Sequence, residues 1–210
     1  MNPDCDNLIN SLIKDGYLKT PEIIEAFRAI DRQDFVPEEY KKDAYVNAPL
    51  PIDFGQTISQ PLTVAFMLEL LEPKKGEKIL DVGAGSGWVT ALLSWLVGET
   101  GRVLAIERIP ELQEFAEKNT AKYSFVERGI AKIVKADGSK GYSKEAPYDK
   151  IIGGAASQGE IPPAWRRQLK IGGRIVAPVD QSVWMIDKTG KNQYSQKEYF
   201  GFSFVPLVKD

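Results

Sequence analysis

Residues 79 to 87 read Ile-Leu-Asp-Val-Gly-Ala-Gly-Ser-Gly, a short apolar run, an acid, and then three glycines at alternate positions. An apolar run that ends in glycines predicts a buried strand and a tight turn into a helix, the arrangement that binds nucleotide-type cofactors. A dinucleotide-binding turn instead has the pattern Gly-x-Gly-x-x-Gly. Here the third glycine, Gly87, comes one residue early, and Trp88 stands where that pattern needs a small residue. A tight turn without a ligand is the alternative, which three glycines behind an acid disfavour.

Asp81 precedes the first glycine by two residues, so the predicted strand carries it at its carboxyl end. A carboxylate at that place can hold a ligand with a positive centre. Together with the altered glycine spacing, this acid favours S-adenosyl-L-methionine over NAD as the cofactor. An NAD oxidoreductase is further disfavoured because none of the eight tyrosines begins a Tyr-x-x-x-Lys motif.

Two further acids end predicted strands. Glu107 ends the second strand, where a carboxylate can accept hydrogen bonds from both hydroxyls of a ribose. An ion pair with Arg102 or Arg108 is the alternative interpretation of Glu107. Asp137-Gly138 ends the third strand, where an acid could reach the amino group of adenine, although Asp-Gly is also a common turn dipeptide.

Beyond residue 76 the chain alternates strands and helices, which predicts a parallel sheet with right-handed crossovers. The predicted strands are 78–82, 102–107, 132–136, 150–153 and 174–179, and the predicted helices are 87–97, 110–122 and 163–169. Three later segments, 183–187, 193–200 and 202–208, are predicted to be antiparallel strands.

Upstream of the sheet, the sequence predicts a helix that begins after Thr20 and another from Ser59-Gln60-Pro61 to about Leu71. A loop with short elements is expected between residues 35 and 55. We therefore expect an α/β, Rossmann-like fold in one compact unit. Residues 1–75 would form an N-terminal helical extension with the substrate loop, and residues 76–210 the α/β domain that binds S-adenosylmethionine.

Composition excludes several classes of function. The 210 residues carry a net charge of -2 and no basic cluster, so we expect no nucleic-acid partner. No apolar run approaches the roughly 18 residues of a membrane span. The chain has no histidine and one cysteine, which excludes Ser-His-Asp hydrolysis and His-ligated or thiolate zinc sites. Cys5 is expected in a mobile terminus, and a lone cysteine favours the reducing cytoplasm.

The substrate signal lies in residues 49–61, Pro-Leu-Pro-Ile-Asp-Phe-Gly-Gln-Thr-Ile-Ser-Gln-Pro. On composition alone, a serine just before a helix is most often an N-cap. Here, however, the chain resembles the protein-L-isoaspartate (D-aspartate) O-methyltransferases. The resemblance covers nearly everything from Thr20 onward and is carried by the following segments: Phe35-Val36-Pro37, Ala44-Tyr45, Pro49-Leu50-Pro51-Ile52, Gly55-Gln56-Thr57-Ile58-Ser59, Met67-Leu68-Glu69-Leu70-Leu71, the glycine turn, Ile106-Glu107-Arg108, Ala146-Pro147-Tyr148-Asp149, Gln168-Leu169, Gly172-Gly173-Arg174 and Phe204-Val205-Pro206-Leu207.

The resemblance implies methyl transfer from S-adenosylmethionine to the free α-carboxylate of L-isoaspartyl residues in damaged proteins and peptides. The products are S-adenosyl-L-homocysteine and an ester that collapses to a succinimide, which reopens partly to normal aspartate. It implies that Ser59 is the active-site serine and that no metal takes part, and we expect a monomer. The implied cofactor-binding residues are Gln56, Thr57, Ile58, Ser59, Asp81, Gly83, Ala84, Gly85, Ser86, Gly87, Glu107, Arg108, Asp137 and Gly138.

The implied chemistry suits a chain without histidine. A carboxylate has an ordinary pKa of about 4, so at neutral pH it already carries the lone pair that attacks, and no general base is required. Ser59 would orient that oxygen by a hydrogen bond.

Three departures from the family pattern stand out: Leu62 and Val64 where histidine is frequent, Gly153-Gly154 in place of a Val-Thr-like pair, and Trp88 in place of tyrosine. Two alternatives stay open. One is a methyltransferase of the same fold that acts on RNA or a small molecule, which the acidic balance and the Gly-Gln-Thr-Ile-Ser segment disfavour. The other is a catalytically silent protein that binds the cofactor, which the departures at Leu62 and Gly153 keep open.

Overall fold

The computed structural model describes residues 2–208, so Met1, Lys209 and Asp210, at the ends of the two expected regions, lie outside the described residues. The helices are α1 (Pro3–Lys14), α2 (Pro21–Ala29), α3 (Pro61–Leu71), α4 (Trp88–Val97), α5 (Pro110–Ala121) and α6 (Pro163–Gln168). The strands are β1 (Leu50–Pro51), β2 (Thr57–Ile58), β3 (Lys78–Val82), β4 (Arg102–Glu107), β5 (Ala131–Lys135), β6 (Tyr148–Gly153), β7 (Leu169–Val179), β8 (Ser182–Gly190) and β9 (Gln193–Phe200).

Strands β3 to β9 form one sheet in the order β5-β4-β3-β6-β7-β8-β9. Neighbours from β5 to β7 are parallel, whereas β7-β8 and β8-β9 are antiparallel. The chain leaves β3 for β4 on one side and later returns to β6 on the other, so the strand order reverses at β3. In open parallel sheets, ligands bind outside the carboxyl ends of the strands at such a reversal. This confirms the predicted Rossmann-like fold with antiparallel C-terminal strands.

Helix α4 is apolar nearly all round because it packs between the sheet and the N-terminal helices. Its buried residues include Ala91, Leu92 and Leu93 on different faces. Phe27 of α2 packs edge-on against Trp88 at the start of α4, with ring centroids 5.5 Å apart. Side chains of the N-terminal helices and of the sheet thus share one hydrophobic core.

The N-terminus is more ordered than the sequence suggested. Helix α1 begins after Asn2, whose side chain accepts a hydrogen bond from the backbone N–H of Asp4 at 3.0 Å. Cys5, Ile9 and Leu12 recur at helical spacing and are buried, with Cys5 only 6% exposed. The expectation of a mobile terminus around Cys5 was therefore wrong, because this apolar stripe packs on the core.

The predicted strand over residues 202–208 was also wrong. Strand β9 ends at Phe200, and Gly201 turns the chain away from the sheet with a φ of 104°. Pro206 lacks an N–H to extend a ladder and forms only an isolated bridge with Ala156. The other predicted strands and helices exist, although β7 begins at Leu169 rather than 174. In the described part of the chain, every helix is too short or too polar to cross a lipid bilayer.

Candidate active site

The turn after β3 forms the floor of the site. The backbone N–H groups of Gly83 and Ala84 both donate to the carbonyl of Ile106, at 2.9 Å each, which fixes the turn to β4. Gly87, just before α4, has a φ of 87°. A Cβ there would lie 2.8 Å from the carbonyl oxygen of Ala116, so both the conformation and the space require glycine.

A cavity of about 540 Å³ lies over this turn. The predicted cofactor residues that line it are Thr57, Ile58, Ser59, Asp81, Gly83, Ala84, Gly85 and Ser86. Gly87 does not line this cavity. It lies against α5, where the lack of a side chain lets α4 pack close to that helix. Val64, Met67 and Phe204 complete the apolar wall and were not predicted as site residues.

A second cavity of about 470 Å³ continues from the first across the end of β4. Gln56, Glu107, Arg108 and Gly138 line it, and Gly83 lines both cavities. The two spaces therefore meet over the glycine turn and form one elongated depression, with Asp81 in the first part and Glu107 in the second.

The Glu107 carboxylate connects the two turns that border this depression. Its Oε2 accepts the N–H of Gly85 at 3.0 Å, and its Oε1 accepts those of Arg108 and Ile109 at 2.8 and 3.0 Å. The alternative pairing with Arg102 is not observed, since Arg102 donates to the carbonyls of Glu99 and Gly101. A carboxylate has about four acceptor positions, so Glu107 keeps capacity for a ligand hydroxyl.

Asp81 is 2% exposed and lines the first cavity. Burial raises the pKa of its carboxyl to about 7, the hydrogen bond from Thr90 opposes this rise, and the negative charge of Glu107 adds to it. The free protein thus holds an acid that is only partly ionised at neutral pH. A cationic ligand in the cavity would favour its charged form.

Asp137 follows the third strand of the sheet, as predicted, and its carboxylate caps the next turn. Its carboxylate accepts hydrogen bonds from the backbone N–H and hydroxyl of Ser139, at 2.9 and 2.7 Å, and pairs with Lys140. Burial raises the pKa of Asp137, but these interactions outweigh burial and hold it below its ordinary value. Asp137 therefore caps the turn that follows β5, and Gly138, not Asp137, lines the second cavity.

The unusual Gly153-Gly154 pair follows from close packing. A Cβ at Gly153 would lie 2.9 Å from the Cβ of Ala177 and 3.1 Å from the ring of Trp165. A Cβ at Gly154 would lie 2.8 Å from the carbonyl oxygen of Gly83. The indole of Trp165 occupies the space that a side chain at Gly153 would need. The floor of the cavity is therefore closely packed although both residues lack side chains.

Ser59 lies between the cavity over the glycine turn and a larger groove. The groove has a volume of about 1070 Å³ and is lined by the segments around Ser59, Thr63 and residues 201–205. Thr57, Ser59, Gly154 and Phe204 line both the groove and the first cavity. A molecule in the groove and one in the cavity would therefore meet at Ser59.

The helix-cap interpretation of Ser59 is wrong. Gln60 is the N-cap residue of α3, and its side chain makes no capping hydrogen bond. Asn47, from the preceding loop, instead accepts the N–H of Leu62 at 3.0 Å. Ser59 is carried by the short hairpin of β1 and β2, in which Leu50 lies opposite Ile58.

Within residues 2–208, no three His, Cys, Asp or Glu side chains lie together in a way that could hold a metal ion.

Known proteins resemble the chain in sequence and in fold. The model of the family protein-L-isoaspartate(D-aspartate) O-methyltransferase matches residues 4–210. The protein-L-isoaspartate O-methyltransferase of Methanopyrus kandleri is 42% identical over 207 residues, which cover 97% of this chain and 90% of that protein. Its counterpart in Ignicoccus hospitalis is 44% identical over 208 residues, covering 97% and 96%. A Plasmodium falciparum protein described as such a methyltransferase, solved with S-adenosyl-L-homocysteine, shares the fold with a TM-score of 0.87 at 24% identity over 100% of both chains.

Proposed function

The chain belongs to the protein-L-isoaspartate(D-aspartate) O-methyltransferase family, and we propose that it methylates the α-carboxylate of L-isoaspartyl residues in damaged proteins. S-adenosylmethionine is the donor and S-adenosylhomocysteine the product. The observation that carries the proposal is the position of Ser59, on the wall that the cavity over the glycine turn shares with the large groove.

The residues around the turn fit an elongated, positively charged nucleoside ligand. Gly83 lines both cavities, and a Cβ there would be in van der Waals contact with the backbone of Gly154 and Ala155, at 3.8 to 3.9 Å. Asp81 bonds to a hydroxyl, that of Thr90, and its buried carboxylate suits a ligand cation. Glu107 lies one strand away, where its remaining acceptor position suits a ribose hydroxyl.

When bound, S-adenosylmethionine supplies a methyl group on a sulfonium, an electrophile that needs no activation by the protein. The task of the chain is therefore to position the acceptor and to exclude water. Reacting atoms held about 3 to 3.5 Å apart and in line can contribute most of the acceleration.

Ser59 would donate a hydrogen bond to one oxygen of the acceptor carboxylate and leave the other directed into the cavity. Ile58 and Phe204 line the same wall and would keep water from the reacting oxygen. The groove provides space for the residues that flank an isoaspartate, as a protein substrate requires.

We propose further that the protein acts as a monomer in the cytoplasm and binds neither nucleic acid nor membranes. The balance of 27 basic and 29 acidic side chains supports this, because nucleic-acid binding depends on excess positive charge. The exposed large apolar side chains, among them Ile171 and Phe200, are spread over several elements.

The experiment measures transfer of a labelled methyl group to an isoaspartyl peptide, with the same peptide containing normal aspartate as the control. We expect base-labile label only in the isoaspartyl peptide. Equal labelling of both peptides, or of RNA instead, would assign the protein another acceptor. Tight binding of S-adenosylhomocysteine without transfer to any of them would show a catalytically silent protein.

A further inference from the structure

Arg32 is a buried cation that the proposed reaction does not yet use. It lies in the short 3-10 turn Arg32–Phe35 and is 2% exposed. Burial lowers the pKa of its guanidinium to about 10, so the group stays charged at neutral pH. Within residues 2–208 its hydrogen bonds go to carbonyl oxygens and not to a carboxylate. A buried charge without a counter-ion is costly, which calls for a functional explanation.

The guanidinium joins three separate parts of the backbone. Its Nη1 donates to the carbonyl of Ala44, and its Nη2 donates to those of Ala48 and Ser59, at 3.0 and 3.2 Å. Ala44 and Ala48 flank the loop that leads into the β1–β2 hairpin, and Ser59 directly follows that hairpin. Arg32 therefore fixes both ends of the hairpin that carries Ser59.

The same guanidinium lies over the ring of Trp88, with its Cζ 5.3 Å from the ring centroid. Trp88 lines the cavity over the glycine turn. Arg32 Nε and Trp88 Nε1 are both buried without a hydrogen-bond partner in the described part of the chain. The guanidinium of Arg32 thus lies behind two walls of the site, the one that contains Ser59 and the one formed by the Trp88 indole.

A positive charge behind these walls acts over a short distance through a medium of low polarity, where charge interactions are stronger than in water. The acceptor of the proposed reaction is an anion that must leave water to reach Ser59. A fixed cation would offset part of the cost of that desolvation.

We propose that Arg32 is a positioning residue for the acceptor: it holds the Ser59 main chain between cavity and groove, and its charge favours the binding of an anionic carboxylate there. The inference rests on the proposed methyl transfer to isoaspartyl carboxylates and deepens it.

Lys188 provides a matched control. It is also a buried cation, 8% exposed, that donates to two backbone carbonyls, those of Arg166 and Leu169, and lies near a ring, that of Tyr194. It lies on β8 and lines neither cavity nor the groove. Replacing Lys188 therefore reports the structural cost of losing such a cation without touching the site.

The test compares Arg32→Met, Arg32→Lys and Lys188→Met with the wild type in thermal stability, S-adenosylhomocysteine binding and kinetics with an isoaspartyl peptide. For Arg32→Met we expect the KM of the peptide to rise about tenfold or more, a change typical of a lost charge interaction. Arg32→Lys, which keeps the charge, should lie between Arg32→Met and the wild type. Lys188→Met should keep KM and kcat within about twofold of the wild type, even if it loses comparable stability.

A double variant separates positioning from general structure. If Arg32 positions the hydroxyl of Ser59, adding Arg32→Met to Ser59→Ala should lower kcat by much less than it does in the wild type, whereas the charge effect on the peptide KM should persist. A peptide KM unchanged in both Arg32 variants, an equal KM rise in Lys188→Met, or fully multiplicative losses of kcat in the double variant would overturn the inference. Should Arg32→Met fail to bind S-adenosylhomocysteine, Arg32→Lys decides by the same criteria. An inactive wild type would overturn the proposed function itself.

Discussion

Thr90, in the first turn of α4, donates a hydrogen bond from its Oγ1 to Oδ2 of Asp81 on β3, at 2.7 Å. This bond links the acid at the end of β3 to the helix that follows the glycine turn. It holds the carboxylate in the cavity and, by favouring the charged form, partly offsets the effect of burial on its pKa. The protonation of Asp81 is thus set by the fold before any ligand arrives.

Cofactor binding should therefore depend on pH through Asp81. Its pKa is about 7 in the free protein, and a bound cation favours the ionised form, so binding requires release of a proton below that pH. We expect the affinity for S-adenosylmethionine to fall by up to about tenfold per pH unit below 7 and to level off above it. Asp81→Asn should bind more weakly with no such dependence, as measured by calorimetry from pH 5.5 to 8.5. The idea fails if the two pH profiles are parallel.

The same shift affects folding. Because the pKa of Asp81 is higher in the folded state than in the unfolded chain, the folded protein binds the extra proton between about pH 4 and 7. The contribution of Asp81 to stability is therefore present at the acid end and is lost as the pH rises through about 7. Urea unfolding of the free protein should show that the stability of the wild type relative to Asp81→Asn declines over this interval. A constant difference would argue against the raised pKa.

Ser59→Ala should lower kcat for the isoaspartyl peptide by about a hundredfold, the scale expected when a reacting group loses its orientation. Binding of S-adenosylhomocysteine should change little, because the serine hydroxyl faces the acceptor in the proposed arrangement. Thermal stability should also change little, since Gln60 and not Ser59 is the N-cap residue of α3. A wild-type kcat in this variant would leave Ser59 without a part in orienting the acceptor.

Glu107→Gln should weaken S-adenosylhomocysteine binding by roughly 10- to 100-fold, in line with the loss of hydrogen bonds to a charged group. Glutamine has one acceptor oxygen, so its NH₂ must face a backbone N–H that the carboxylate now accepts, either at Gly85 or at Arg108 and Ile109. Glu114→Gln, on the exposed face of α5, is the control and should bind as the wild type does. Equilibrium dialysis with labelled ligand gives both constants.

Gly87→Ala should be far more destabilising than Gly129→Ala, although both glycines have positive φ angles, of 87° and 66°. The left-handed conformation costs either alanine about 1–2 kcal/mol. At Gly87 the new Cβ also meets Ala116 and Thr120 at 2.8 Å, whereas nothing lies within 4 Å at Gly129. Overpacking should add about 1–3 kcal/mol to the loss at Gly87. Chemical unfolding curves that give equal losses would contradict this packing.

The parts of the molecule that sequence predicted well are those determined locally. The strand, acid and glycines of residues 79–87 specify their own turn, and Glu107 ends its strand because the apolar run ends there. Asp137 follows its strand as predicted, and its carboxylate caps the turn that the Asp-Gly dipeptide offered as the alternative, while its contact with adenine stays a prediction.

Features that depend on distant contacts were not predictable in this way. The role of Arg32 requires knowing that Ala44, Ala48 and Ser59 come together around it. The glycines at 153 and 154 become intelligible only once Trp165 and Gly83 are seen to approach them. Helix α1 was missed because its buried stripe is short and begins within five residues of the N-terminus.

The segment after β9 contributes walls to both cavities and to the groove, yet it adds no strand to the sheet. It is held by backbone hydrogen bonds to Ala156 and Gln181, at 2.7 to 3.1 Å. We therefore expect exchanges at Phe202, Ser203 and Val205, which line the groove and neither cavity, to change acceptor selectivity while the sheet and the cofactor cavities stay intact.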